Sequence, residues 1–276
     1  MANLSPNQLI NPLSVGDVVS AGIRIYRTHL SAYLTLSVFA HLWLIVPIYG
    51  WAKSAEISGR ISRLAFGILT NQPESLAQAK QKTRPNLWNF FVAGLLVGLL
   101  FYGLYFAALI VMMILMIIGG IIAFAMGGSQ SPVTTAVFVL LAIVGIVGII
   151  IVFIRIFSRL MIVEVPIAVE DNVDGVLAIR RSWMLTQGAV GRIQWIVIVT
   201  FLITLIVNVP AQALAFILPS GEDVGLSVTL ISQLIIIGVS IICNMFVMPL
   251  WQAIKAVIYY DLRARREGMG LQLHYR

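Results

Sequence analysis

The chain has 276 residues, 60% of them hydrophobic and only 11% charged, with a mean hydropathy of +0.98. Water-soluble domains carry about 25% charged residues, so this composition excludes an ordinary soluble protein. The net charge of +7 would suit a nucleic acid, but the Arg and Lys residues flank apolar runs as the positive-inside bias requires, and no nucleic-acid partner is expected.

Residues 85–154 contain no Asp, Glu, Lys or Arg, and further uncharged runs cover 28–52, 193–221 and 224–254. A helical span needs roughly 20 apolar residues, so the first run alone holds two helices and a turn. Barrel strands would alternate in polarity over about ten residues; these runs are continuously apolar. The expected fold is therefore all-α: a polytopic transmembrane helix bundle with interfacial amphipathic helices, since only helices and closed barrels satisfy the backbone inside a bilayer. A single cysteine, Cys243, rules out an intrachain disulfide and a Cys-based metal site; inside an apolar run it reads as a small packing residue. The start of the chain lacks the basic and apolar pattern of a cleaved signal, and no cofactor is expected.

Residues 1–13 read as a polar tail ahead of one helical domain covering 14–276. Ser14 and Asp17 form a capping-box start to a short helix. Val15, Val18, Val19, Gly22, Ile23 and Tyr26 fall on one side of it and Asp17, Ser20, Arg24 and Arg27 on the other, the pattern of a helix lying in the membrane interface. A span over 31–46 contains His41, read as an interior histidine, and stops at Pro47, Tyr49 and Gly50. In 51–69, Lys53, Glu56, Arg60 and Arg63 step by three and four and so form one helix stripe. Ser54, Ser58 and Ser62, with Ala55 and Gly59, favour close helix contacts there. A polar helix over 74–82 follows Asn71-Gln72-Pro73. The next span, 87–118, bends or ends at Gly119-Gly120, and Gly127 to Pro132 turn the chain into a span over 133–160. Pro166 breaks the chain ahead of Glu170, Asp171 and Asp174. A surface helix over 173–186 closes at Gly188. Spans over 193–218 and 226–250 follow, the last continuing as helix to about 267.

Charge sets the expected topology. The loops at 127–132 and 219–225 have no basic residue, the second carrying Glu222 and Asp223, whereas 53–84, 155–192 and 255–276 with Arg24 and Arg27 hold all eighteen. The positive-inside bias makes those segments cytoplasmic. If 51–69 crosses, there are six spans and both termini are cytoplasmic. If it lies on the surface there are five, and Arg24 and Arg27 fall outside. Six is preferred, although each charge near the midplane costs roughly 2.5–3.5 kcal/mol. The membrane is expected to be the plasma (inner) membrane or a thylakoid.

Three stretches carry a family resemblance: Pro12 to Asp17 running into Arg24-Ile25-Tyr26-Arg27; Pro166 to Glu170 followed by Ala178 to Thr186; and Tyr260 to Gly268. Together they resemble the glycerophosphodiester phosphodiesterase membrane domain family and, more distantly, the YciC-type inner-membrane proteins. The stretch from Trp43 to Phe66 resembles cyanobacterial versions. The resemblance implies six membrane helices and transfers no catalytic residue, because hydrolysis in fused members belongs to a separate barrel with paired His and metal-binding carboxylates. This chain has only His29, His41 and His274.

Candidate sites follow. Ionisable groups inside a membrane point to function by default, so Lys53, Glu56, Arg60 and Arg63 are read as an internal polar pocket for an anion or a lipid head group; the structural alternative is a simple tie or surface stripe. Asn208 and Gln212 around Pro210, with Gln233, Ser240 and Asn244, could line a cavity, although interhelical hydrogen bonding is the commoner role of such residues. Arg180, Arg181, Arg263, Arg265 and Arg266 are read as contacts to anionic lipid head groups or to a protein partner. Glu164, Glu170, Asp171 and Asp174 could ligate a hard cation, but a solvated loop and helix cap serve as well, and no metal is assigned. The expected function is that of a non-enzymatic membrane protein that organises or assists membrane partners. The alternative is a transporter or lipid-handling protein using the region of Glu56 and Arg60.

Overall fold

The computed structural model describes residues 13–125, 132–219 and 225–267. Most of the polar tail, the turn after Gly127, Glu222 and Asp223, and the chain from Gly268 with His274 lie outside the described residues. Those described form α1 (Val15–Thr28), α2 (Leu30–Trp43), α3 (Tyr49–Leu69), α4 (Leu76–Thr83), α5 (Leu87–Ala125), α6 (Pro132–Leu160), α7 (Glu164–Val169), α8 (Gly175–Thr186), α9 (Val190–Ile217) and α10 (Leu226–Glu267), with no strand among them.

Local chemistry sets several helix ends. The Ser14 hydroxyl accepts from Asp17 N while the Asp17 carboxylate accepts from Ser14 N, giving α1 the capping box expected. Ser75 and Gln78 form a second box on α4, and Asp174 caps α8 by accepting from Leu177 N at 2.7 Å. Gly188 takes φ +77° after α8, a conformation glycine adopts without steric cost.

Two proline and glycine expectations are corrected. Gly119-Gly120 does not end the helix, since α5 runs on to Ala125. A Cβ on Gly119 would lie 2.8 Å from the Phe138 ring of α6, so the glycine there admits a neighbouring helix. Pro166 does not break the chain but sits in the first turn of α7, where its missing N–H has no intrahelical partner to lose.

Four helices, α5, α6, α9 and α10, are long and apolar enough to cross a membrane. Four of the six expected spans are thus accounted for. The other two are of a different kind. At 14 residues, α2 is about 21 Å long, short of a hydrocarbon core of about 30 Å. The 21 residues of α3 include Lys53, Glu56, Arg60 and Arg63.

Burial divides the molecule along its length. A close-packed base joins α1, α2 and α3 to α7, α8, the start of α9 and the second half of α10. At its centre lie Val18, Tyr33, Ile61, Ile162, Ile193, Ile196, Ile254, Ile258 and Tyr259. Small residues permit the approach. A Cβ on Gly22 would lie 2.5 Å from Ile254 of α10, and one on Gly59 would lie 2.3 Å from the Phe90 ring of α5. Above the base, Phe101 of α5 packs on Phe157 of α6 at 6.2 Å, Phe157 meets Trp251 of α10 at 6.1 Å, and the Trp251 indole donates to Thr204 of α9 at 3.0 Å. Beyond this layer α5, α6 and α10 each extend by about 36 Å at 1.5 Å per residue, and most of their apolar side chains there are exposed. So long an exposed apolar surface suits a bilayer's hydrocarbon core of about 30 Å.

Candidate functional site

The polar chemistry of the chain is concentrated in the base, around acidic centres that each join distant segments. On α3, a run of one residue per three or four places Lys53, Glu56, Arg60 and Arg63 on one face, as the sequence predicts. Glu56 is fully buried. Its carboxylate accepts from Lys53 Nζ at 2.7 Å, from Arg60 Nη2 at 2.5 and 2.7 Å, from Arg60 Nε at 3.2 Å, and from the Thr83 hydroxyl. Both oxygens are thus engaged, and the Thr83 bond ties α3 to the end of α4. Arg63 continues the stripe outward. It holds Glu74 through Nε and Nη2, both at 2.7 Å, and donates from Nη1 to the Ala168 carbonyl of α7 at 2.5 Å. The stripe is a chain of closed ion pairs.

Glu74 lies between α3 and α4. The hydrogen bonds from Arg63 hold its carboxyl below the usual range against partial burial, and Lys82 adds to them. A depressed carboxylate contributes stability that is complete above its unfolded value, near 4.3, and is lost as pH falls through the lower folded value. Acidification below about pH 4 is therefore expected to release the 71–83 segment from α3. Hydrogen exchange of that segment against pH is the measurement, and Glu74→Gln should remove its acid dependence.

Asp261, on α10, is the second centre. It accepts from Arg192 Nη2 of α9 at 2.5 Å, from Arg265 Nη2 at 2.7 Å, and from Leu13 N at 3.3 Å; Arg192 also donates to the Leu13 carbonyl at 2.8 Å. Glu170, after α7, is the third. It accepts from Arg181 Nη2 of α8 at 3.0 Å and from the Tyr259 hydroxyl of α10, with Arg263 Nε at 4.0 Å. Arg181 and Arg263 both also hold Glu267, and Arg266 donates to the Gln187 carbonyl. Arg180 alone of the five expected lipid-contacting arginines is classed as exposed without appearing in these ties. The three stretches singled out in the sequence thus meet through Leu13, Glu170, Arg181, Asp261 and Arg263.

The acidic group does not converge. Glu164 pairs with Lys255 of α10, Glu170 serves the arginines, and Asp174 caps α8. Among the described residues no group of three His, Cys, Asp or Glu side chains is placed to hold a metal. Nor do the polar residues of the spans gather. Gln212, Gln233 and Asn244 are exposed. Asn208 donates to the Thr204 carbonyl and Asn244 to the Ser240 carbonyl, each one turn back in its own helix. His41 Nδ1 lies 2.8 Å from the Ser37 carbonyl on α2.

Asp261, Glu74, Thr83, Arg192, Lys255 and Tyr259 were not singled out by sequence reasoning. One signal for Asp261 was present, since it is an acid within a basic segment with Arg265 four residues on. Lys255 and Glu164 stand at the edge of a cavity of about 180 Å³ lined mainly by Ala55, Phe90, Val97, Phe101 and Phe157.

A family model described as a domain of unknown function, DUF7847, matches residues 74–262. The chain belongs to this family. The DUF7847 region runs from Glu74 through Asp261 and so takes in Thr83, Glu164, Glu170, Arg181, Arg192 and Lys255, while α1, α2 and α3 with Lys53, Glu56, Arg60 and Arg63 precede it. The matching description carries neither the glycerophosphodiester phosphodiesterase nor the YciC name. No curated protein and no solved structure matches the chain.

Proposed function

We propose that this DUF7847 protein is a non-enzymatic integral membrane protein that organises or assists other membrane proteins, its basic base facing the cytoplasm. The observation that carries the reading is the free face of α5. Gly94, Gly98 and Gly103 have no atom within 4 Å of where a Cβ would stand. Gly94 and Gly98 border an apolar groove of about 450 Å³ with Trp51, Ala55, Phe90 and Tyr102. Small residues four apart let a second membrane helix approach closely, and among the described residues nothing occupies the place. The side chains of the base, by contrast, are engaged in ties between segments.

An even number of crossings, four or six, places all the described basic segments on one side, in keeping with the positive-inside bias. The basic exposed residues then face anionic head groups, with about 1 kcal/mol per residue available. The narrower kinship with the glycerophosphodiester phosphodiesterase membrane domain and YciC-type proteins, in a cyanobacterial-type version, belongs to this proposal. Its support is the meeting of the three resembling stretches in one polar layer. Plasma membrane and thylakoid both fit it.

The test is Gly98→Leu. The side chain enters open space, so monomer stability should stay within about 0.5 kcal/mol of the parent, while a complex seen by native electrophoresis from mild detergent should be lost. A parent protein that runs as a clean monomer, with no cross-linked membrane partner, would sink the reading. A second reading, lipid handling, is favoured by the cavity at Lys255 and Glu164 rather than by the filled Glu56 and Arg60 cluster. It predicts that Lys255→Gln lowers the amount of anionic lipid that copurifies.

A further inference from the structure

We propose that α2 and α3 form a wedge that enters the bilayer leaflet on the basic side and turns back without crossing, so that its tip is covered by the acyl chains of that leaflet. The wedge borders the α5 groove of the partner reading through Trp51, but it concerns the depth of α2 and α3 and not the occupant of that groove.

The tip is apolar and exposed. Residues 42–52 include no charged or amide side chain, and Phe39, Leu42, Leu44, Ile45, Ile48 and Trp51 are all exposed, Ile45 by 78%. A turn emerging into water on the far side would be expected to carry polar turn residues; this one is Leu-Ile-Val-Pro-Ile. Such a surface is continuous with the exposed apolar face of α5, from which Leu95, Leu99 and Tyr102 line the same groove as Trp51.

The turn makes several of its own hydrogen bonds, which reduces the unpaired backbone that a bilayer penalises. Leu44 N donates to the His41 carbonyl, Val46 N to the Trp43 carbonyl at 3.0 Å, and Tyr49 N to the Pro47 carbonyl at 2.7 Å. The Trp51 indole donates to the Leu44 carbonyl at 3.3 Å. Gly50 is buried in the fold of the turn, where a Cβ would lie 1.9 Å from the Trp43 carbonyl oxygen. Trp43 and Tyr49 pack edge to face at 5.6 Å across it.

Depth follows from the neighbours. Trp51 lies beside α5 residues from Gly94 to Tyr102, and from Tyr102 α5 continues for about 35 Å to its described end at 1.5 Å per residue. That remainder reaches the hydrocarbon thickness of about 30 Å, so the tip lies no deeper than the near leaflet. The arrangement removes two difficulties at once. Lys53, Glu56, Arg60 and Arg63 stay near the basic interface, away from the midplane where charge is costliest. Arg24 and Arg27 remain on the same side as every other described basic segment, with α1 lying along the interface beside the hairpin.

The experiment uses the full chain with Cys243→Ala and one new cysteine at a time, treated with a membrane-impermeant thiol reagent. Gln81→Cys marks the basic side and Gly225→Cys the far side. Ile45→Cys is expected to stay unreactive in intact cells and in opened cells, and to react once detergent dissolves the bilayer. Labelling from the far side together with Gly225→Cys would show a crossing pair and overturn the proposal. Labelling with Gln81→Cys in opened cells would place the hairpin in water, and silence even in detergent would place the tip inside protein contacts; either overturns it too. Val46→Cys, in the same turn, serves if the first variant fails to accumulate.

Discussion

Glu56→Ala is expected to abolish most of the folded protein. The carboxylate is fully buried and holds Lys53, Arg60 and Thr83. Its removal leaves the guanidinium of Arg60, a residue 6% exposed, without its anion. Breaking a buried pair from one side costs about 3–5 kcal/mol, against a total stability of about 5–15 kcal/mol for a typical protein. The expected result is a sharp fall in accumulation and a much lower unfolding midpoint in detergent. Replacing both members tests the cause. Glu56→Leu with Arg60→Leu removes the stranded charge as well as its partner, and should recover a substantial part of the loss, because exchanging a buried pair for apolar side chains is often neutral. A Glu56→Ala protein that accumulates and melts like the parent would mean that the cluster does not hold α3 to α4. The anion-pocket reading of Lys53, Glu56, Arg60 and Arg63 would then gain.

How much of this was legible beforehand depends on the physical scale of each feature. The spans on α5, α6, α9 and α10 follow from long uncharged runs, a signal repeated over twenty or more residues. The start of α1 at Ser14 and Asp17 follows from a pattern four residues long. The stripe on α3 follows from helical spacing alone, and its four members do share one face. Their closure around Glu56 and Glu74 was not legible, because Thr83 and Glu74 arrive from α4 and the segment before it. Periodicity speaks of one helix at a time. The same limit hid Asp261, whose partners Leu13 and Arg192 are 248 and 69 positions away. Pro166 and Gly119-Gly120 misled for a related reason. A proline in a first turn and a glycine under a neighbour's Phe138 differ from breakers only through what surrounds them.

The count of spans turned on a subtler matter. Residues 31–46 and 51–69 are helical and apolar enough to suggest a pair of crossings, and charge balance favours an even number. The helix that forms, α2, is only 14 residues long, because Ile48 takes φ +59° and the chain reverses in a five-residue apolar turn. A β-branched residue in that region is unfavourable, so Ile48 itself does not announce the turn. Pro47, Tyr49 and Gly50 did mark it in the sequence, and Gly50 fits under the Trp43 carbonyl.

Asp261→Ala should have the second-largest effect, and a distinct signature. Asp261 is 5% exposed and is the acceptor shared by the start of α1, the start of α9 and the end of α10. Arg192 depends on it heavily, since its Nε is already buried without a partner. Removing the carboxylate leaves two guanidinium groups facing one another without an anion between them, a loss of about 3 kcal/mol or more. The hairpin, α5, α6 and the long apolar stretches of α9 and α10 do not rest on this tie, so the loss should first appear locally. Hydrogen exchange is expected to rise in residues 13–28 and at the start of α9, with the Glu56 cluster still protected. Arg192→Ala should produce the same local pattern. The two changes together should cost clearly less than their sum, as expected of side chains sharing one interaction. Fully additive losses, or exchange that rises evenly across the base, would show that Asp261 does not join these segments and that α1 is held by its apolar face against Ile254 alone.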